Sequence, residues 1–233
     1  MPYRSTVHES LAAVFQVRQL RTTSAGRPEL AVLLWQRALD PERGTWALPG
    51  GRVCDDEDIE TSARRQLAEK VDVCEVSHLE QLSVFSDPDR VPGERRIASA
   101  FLGLVPATTD PRLPTDTSWH SVAALPPTSF DHGVLVAEAR ARLAAKLSYT
   151  NIAFGLAPPV FTMSELREIY RAALGYDVDS TNLQRVLNRR KVLSPTGDTA
   201  PPGPTGGRPA TMYRFTDSSL RVTDEFAALR PPG

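Results

Sequence analysis

Apolar residues recur along the chain at two spacings, and the switch between them marks out its elements. Leu11–Val17 and Leu30–Gln36 are rich in Val, Leu and aromatic residues and read as strands, followed by a Pro/Gly turn at Leu48–Gly51. Over Asp55–Val71 the spacing changes: Ile59, Ala63 and Leu67 fall at i, i+4 and i+8, one buried stripe of a helix. Strand-like runs return at Leu79–Phe85 and Ile97–Val105, separated by the turn-rich Ser86–Arg96. A Pro- and Thr-rich stretch, Pro106–Thr128, leads into Val134–Leu147. That segment has no internal Gly or Pro and many Ala, Leu and Arg residues, so a helix closes this half. Strands and helices in this order predict a mixed α/β sandwich.

After Pro158 and Pro159 the chemistry of helix ends becomes legible. Thr162 and Glu165 form a capping box, T-x-x-E, and Phe161 with Leu166 fits a hydrophobic staple. The stripe of this helix is Leu166, Ile169, Tyr170, Ala173 and Leu174, and Gly175 stands at its stop. Asp179 caps a second helix whose Leu183, Val186 and Leu187 turn inward. On its other side Asn182, Arg185 and Arg189 lie at i, i+3 and i+7 and project together. Ser194–Gly207, rich in Pro, Gly and Thr, reads as a loop, and Ala210–Phe215 as a strand. Helix, tight turn, helix and flexible hairpin make the pattern of a winged helix. The chain is thus α+β, with a boundary near Thr150 that separates a domain over 1–150 from one over 151–233. Ser148–Pro159 reads as an ordered connector, because Ile152, Phe154 and Leu156 require burial.

Composition narrows the class of protein. With 233 residues, 41% hydrophobic and 24% charged, the chain is an ordinary soluble globular protein with room for two small domains. Its longest apolar run is Leu30–Trp35, far short of the roughly 20 residues that span a bilayer, so no membrane association is expected. The N-terminal MPYRSTVHES lacks the features of a secretion signal, and Cys54 and Cys74 do not make a disulfide framework, so a cytoplasmic location is expected. His78, His120 and His132 share no metal-ligand spacing, and neither metal nor cofactor is expected. The net charge of -1 conceals a local excess: Arg185, Arg189, Arg190, Lys191, Arg208 and Arg214 face a single acid, Asp198, between Asn182 and Arg214. That +5 stretch is a candidate phosphate-contacting patch.

The most specific signature is GRVCDDEDIETSARRQLAEKVDV, Gly51–Val73. It resembles the Nudix box, G-x5-E-x7-R-E-U-x-E-E-x-G-U with U a bulky apolar residue. Gly51, Glu57, Arg65, Leu67, Glu69 and Val73 agree, whereas Gln66 and Lys70 stand where the pattern has glutamates and Asp72 where it has glycine. Glutamates three and four residues apart share a helix face and hold hard divalent cations through oxygen. Here Gln66, Glu69 and Lys70 share that face. Gln66 has no ionised oxygen to act as a base, and Lys70 puts an ammonium where a cation should sit. Loss of a general base alone costs about 10²- to 10⁴-fold in rate, so negligible pyrophosphate hydrolysis and no catalytic residue are expected. Two alternatives stay open: that Gly51–Val73 is a plain amphipathic helix after a glycine turn, and that an acid outside the box, such as Glu94, serves as base.

Longer stretches extend the likeness. HLEQLSVFSDPDR (His78–Arg90), SFDHGVLVAEARARLAAKLSYTNIAFGLAP (Ser129–Pro158), FTMSELREIYRAALG (Phe161–Gly175) and GRPATMYRF (Gly207–Phe215) resemble the Nudix-related NrtR regulators of NAD metabolism. In that family a Nudix-like domain precedes a winged helix-turn-helix. The resemblance implies a dimeric repressor of NAD biosynthesis or salvage genes that binds operator DNA and senses ADP-ribose or a related nucleotide. The alternative is an active pyrophosphohydrolase of ADP-ribose-like nucleotides with a vestigial or protein-binding winged helix. For DNA, Asn182 and Gln184 suit adenine edges, and Arg185 and Arg189 suit guanine in the major groove. Arg190, Lys191 and Arg214 are candidate phosphate contacts, and Arg208 a minor-groove contact. The same helix face also reads as a solvated basic surface. For the nucleotide, the candidates are Arg52, Asp87, Asp89 and Arg90, with Phe85 to stack on a base. Arg90 equally fits an ion pair with Asp87 or Asp89 at the surface.

Overall fold

A computed structural model describes residues 6–20, 26–201 and 209–224. The central strand of the larger sheet is β1 (Thr6–Arg18), which runs parallel to β6 (Arg95–Leu104) from Thr6 beside Arg95 to Phe15 beside Leu104. On its other side β1 meets β2 (Glu29–Gln36) through Phe15–Arg18 and β4 (Gly50–Arg52) through Glu9–Leu11, both antiparallel. The short β3 (Trp46–Ala47) and β7 (Thr117–Ser121) pair with β2, and β5 (His78–Phe85) pairs with β6.

Side chains of β1 alternate between two apolar layers, as the two-residue period of a strand requires. Ala12 and Val14 meet helix α1 (Ile59–Val71) through its Ala63, Leu67 and Val71, with Leu33 and Phe101 completing that layer. Leu11, Ala13, Phe15 and Val17 face the opposite side, where α2 (His132–Tyr149) supplies Leu135, Ala139 and Leu143. The Val, Leu and Phe side chains among these contribute roughly 1.5–3 kcal/mol each when fully buried, and the alanines less.

The same core layer continues into the second half of the chain. Phe161 in β8 (Phe161–Thr162), Leu166, Ile169 and Tyr170 in α3 (Met163–Leu174), and Leu183 and Leu187 in α4 (Ser180–Arg189) all join it. The capping box at α3 forms: Thr162 accepts from the Glu165 backbone N–H, and Glu165 accepts from that of Thr162. Gly175 ends α3 at φ 83°, a left-handed conformation that glycine adopts without strain. Asp179 caps α4 by accepting from the Asn182 N–H at 2.6 Å. A small sheet in the order β8-β10-β9 completes the winged helix, with β9 at Leu193–Ala200 and β10 at Ala210–Phe215. Asn151 ties the junction to the returning C-terminal segment: its Nδ2 donates to Ser219 O, and its Oδ1 accepts from the Arg221 N–H.

Four differences from the sequence expectations have physical reasons. α1 begins at Ile59 rather than Asp55, because Asp58 caps it by accepting from the Thr61 N–H at 2.7 Å. The strand read at Leu11 starts at Thr6, because its polar residues are paired across the sheet and Glu9 is engaged by the buried Arg90. Thr117–Ser121 is a strand hidden inside the Pro/Thr-rich stretch; Thr117, Trp119 and Ser121 are buried in alternation. Leu193–Ala200 is a strand and not part of a loop. It lies at the edge of its sheet, where Pro195 need donate no ladder hydrogen bond.

Asp72, in the glycine position of the box pattern, adopts φ 54° and closes α1 by donating its N–H to Leu67 O. A left-handed residue with a side chain is strained, and a carboxylate opposes the negative end of the helix. Asp72→Gly is therefore expected to stabilise the protein by roughly 0.5–1 kcal/mol. Urea melts would show a higher midpoint at unchanged slope, and a lower midpoint would contradict the strain.

Candidate functional site

The Gly-Gly turn and α1 form one wall of a cleft of about 200 Å³. Glycine is required at position 50 because a Cβ there would lie 2.1 Å from Ser10 O. A Cβ on Gly51 would lie 2.8 Å from the Gln66 amide, so the turn lies flat against the helix. The loop before α1 is clasped by Arg65, whose Nε and Nη2 donate to the Glu57 carboxylate at 2.8 and 2.6 Å. Those bonds hold the Glu57 carboxyl well below the usual carboxylate range. Arg65 also donates to Glu69 at 3.1 Å. Both glutamates that match the box are thus engaged by the arginine that matches it.

The two substituted positions behave differently. Gln66 is buried, and its Oε1 has no hydrogen-bond partner. Lys70 is half-buried in the cleft: its Nζ donates to Gly50 O at 2.5 Å and lies 5.1 Å from the centre of the Trp35 ring. Burial, reinforced by the charge of Arg65, holds the Lys70 pKa below the ordinary lysine value. A hard divalent cation needs several anionic or carbonyl oxygens. A neutral amide, an ammonium on the nearest carbonyl and two arginine-bound glutamates do not provide them. Among the described residues no group of three or more His, Cys, Asp or Glu is arranged to hold a metal ion.

The cleft is lined by Trp35, Arg37, Lys70, Arg96, Phe130 and His132, with Glu9 and the glycine turn. The Arg37 guanidinium sits 4.8 Å from the centre of the Phe130 ring. None of the sequence candidates Arg52, Phe85, Asp87, Asp89 and Arg90 is among the lining residues. Arg52 is exposed and lies 3.6 Å from Glu94, which also pairs with Arg96 at 3.1 Å. Phe85 packs against the α2-side core, and Asp87 and Asp89 are exposed in the loop after β5. Arg90 needs correction most. Instead of a surface pair with Asp87 or Asp89, its buried guanidinium donates to Glu9 at 2.6 Å and twice to Asp131 at 2.8 Å.

Sequence reasoning missed most of the lining. Trp35 and Arg37 carry a weak signal, as alternate positions where an apolar strand ends. Phe130 and His132 come from the turn into α2 and from its first residue, some 80 residues after Gly50 in the chain, and no local pattern marks them. A larger cleft, about 620 Å³, opens at the junction of the two halves beside Arg27, Arg140 and Arg171. There Arg27 pairs with Glu168 and Asp177, while Arg171 donates to Glu168 and to Pro28 O. These contacts tie the segment before β2 to α3.

On the second half, α4 buries Leu183 and Leu187 and exposes Asn182, Arg185 and Arg189 on its outer side. Val186, expected inside, is half-buried. The Asn182 Oδ1 accepts from Arg185 Nη2 at 2.8 Å, which pre-orients the pair. Gln184 is turned away, donating to the Tyr213 hydroxyl at 3.3 Å. Arg190 is a correction: its side chain is only 9% exposed and donates to Ser148 O, with Asp224 at 3.4 Å. It staples α4 to the end of α2 and is not a free phosphate contact. Lys191 is exposed just past α4, and Arg214 is exposed on β10. Arg208 lies outside the described residues.

Comparison with known proteins accounts for both halves. Residues 16–139 match the NUDIX domain, and residues 153–215 match the NrtR DNA-binding winged helix domain. A relative from Acinetobacter baylyi, the ADPR responsive transcriptional repressor NtrR, is 30% identical over 199 residues, 82% of this chain and 78% of the relative. The chain belongs to the NrtR family. The crystal structure of Shewanella oneidensis NrtR is 26% identical, with a TM-score of 0.74 over 90% of this chain and 94% of that one. The same Shewanella NrtR complexed with a 27mer DNA matches at 27% identity and a TM-score of 0.73, over 89% of this chain and 93% of that one. Its NUDIX domain complexed with ADP ribose matches at 27% identity and a TM-score of 0.51, over 60% of this chain and 90% of that one. A Nudix half and a winged-helix half are joined in this chain. Among the described residues no helix is long and apolar enough to cross a membrane.

Proposed function

We propose that the chain is a transcriptional repressor of NAD biosynthesis or salvage genes. It binds operator DNA as a homodimer in the cytoplasm, and its Nudix half senses ADP-ribose or a related nucleotide without hydrolysing it. The sensing domain spans 1–150 and the DNA-binding domain 151–233. One observation carries the reading. A Nudix box whose position 70 holds an ammonium against Gly50 O is joined to a capped helix with Asn182, Arg185 and Arg189 on its open side. The named activity of the Acinetobacter relative, and the DNA and ADP-ribose complexes of the Shewanella one, support both assignments.

In this reading Arg185 and Arg189 meet bases or phosphates in the major groove, and Lys191 and Arg214 meet flanking phosphates. The nucleotide acts by population shift: it must bind one arrangement of the two winged helices more tightly than the other, since equal affinity shifts nothing. The contacts from Arg27, Pro28 and Ser148 to α3 and α4 are the route by which the sensing half biases the reading head.

A gel shift on DNA upstream of NAD genes tests the assignment. The double variant Arg185→Ala, Arg189→Ala is expected to bind on the order of 100-fold more weakly, at unchanged thermal stability. Affinity indifferent to both changes would refute the reading face. Incubation with ADP-ribose and Mg²⁺ is expected to leave the nucleotide intact, and appreciable AMP release would favour the hydrolase instead.

A further inference from the structure

A nucleotide diphosphate brings two ionised phosphates into a cleft, and burying such charge without a partner is costly. Nudix hydrolases meet that need with divalent cations, for which this cleft lacks the oxygen donors. It offers cations of its own: Arg37, Lys70 and Arg96 line it, against one carboxylate, Glu9. Glu9 is already engaged by Arg90 at 2.6 Å and Arg96 at 3.1 Å. Arg96 is divided between Glu9 and Glu94, and Arg37 donates its Nε to Pro41 O.

Lys70 is different. Its ammonium has three donors, and among the described residues its one hydrogen bond goes to Gly50 O. The Trp35 ring at 5.1 Å and the Gly50 carbonyl hold Nζ in place without neutralising it. We propose that Lys70 is a built-in counter-ion, its ammonium standing in for the divalent cation so that the cleft binds the diphosphate of a nucleotide sugar without metal. This rests on the nucleotide-sensing reading above and adds the group that recognises the diphosphate. Burial lowers the Lys70 pKa, and an anionic phosphate beside the ammonium would act in the opposite direction. Position 70 thus couples two properties: the residue that removes a cation ligand also supplies the charge the cation would have brought.

Isothermal titration of the full-length protein with ADP-ribose, once in EDTA and once in Mg²⁺, needs no variant. The expected result is the same affinity in both, within about twofold. Lys70→Met is then expected to weaken ADP-ribose binding about 10- to 100-fold in EDTA, the loss of one charge-assisted hydrogen bond to phosphate. Adenosine, which has no phosphate, should bind the variant as it binds the parent. Lys70→Glu should lose ADP-ribose in EDTA and regain part of the affinity in Mg²⁺. Three results overturn the proposal. ADP-ribose binding that requires Mg²⁺ in the parent protein removes the counter-ion role and leaves the nucleotide reading standing. Equal loss of adenosine and ADP-ribose in Lys70→Met makes the residue merely structural. Absence of ADP-ribose binding under every condition defeats the nucleotide reading and the proposal together.

Discussion

Replacing Arg90 with methionine is expected to lower the unfolding free energy by about 3 kcal/mol, the low end of the usual range for breaking a buried ion pair. The Arg90 side chain is 1% exposed and bridges Glu9 in β1 to Asp131 at the start of α2. Methionine fills similar space but leaves two carboxylates facing each other in a poorly hydrated site. Glu9 keeps Arg96 at 3.1 Å, which holds the loss to the low end; Asp131 has no other salt-bridge partner among the described residues. For a chain of this length the melting temperature should fall by roughly 6–12 °C. Arg90→Lys retains the charge without the forked geometry and should fall between the two. A loss below about 1 kcal/mol for Arg90→Met, measured by urea denaturation, would show that the bridge contributes little beyond packing.

Acid should destabilise the protein well before its carboxylates titrate, and His132 is the cause. The ring is buried, and its Nδ1 accepts the Leu48 N–H at 2.9 Å, so the neutral form with the proton on Nε2 is the one the fold selects. Burial pushes its pKa down to about 4 from an ordinary 6.5; Arg90 and Arg37 add to this, while Glu9 and Asp131 oppose it. A base with a depressed folded pKa binds more protons when unfolded. Its contribution is therefore complete above pH 6.5 and is lost as the pH falls towards 4. Over that window stability should drop by about 3 kcal/mol, at up to 1.4 kcal/mol per pH unit. His132→Gln, which keeps an acceptor for the Leu48 N–H, should flatten this part of the stability curve. An unchanged slope in the variant would assign the acid sensitivity to other groups.

Where local chemistry decides a structure, the amino-acid order disclosed it. The box helix announced itself through periodicity and fixed offsets, and the α3 capping box and the outer face of α4 through spacing alone. Elements failed to show where a distant partner overrides local signals. Pro195 and Gly197 disguise β9, yet its edge position makes them acceptable. Thr117–Ser121 is too short and too polar to stand out until β2 pairs with it. The site followed the same rule. Lys70 and Gln66 were visible against a pattern, whereas Phe130 and His132 reach the cleft only through the tertiary fold. Arg90 was misjudged because its partners lie 81 and 41 residues away, beyond any local window. Arg190 resembled a phosphate contact until the end of α2 came within reach of it.

The parallel pairing of β1 with β6 also has a consequence for biosynthesis. Thr6 waits beside an empty lane until Arg95 emerges, about ninety residues later. At translation speeds of about 5–20 residues per second, that interval is roughly 5 to 20 seconds. Throughout it the nascent polypeptide carries its longest strand, thirteen residues with a largely apolar second half, unshielded on one side. Newly made protein is consequently most exposed to aggregation, and most in need of chaperones, before the sheet's own centre can close.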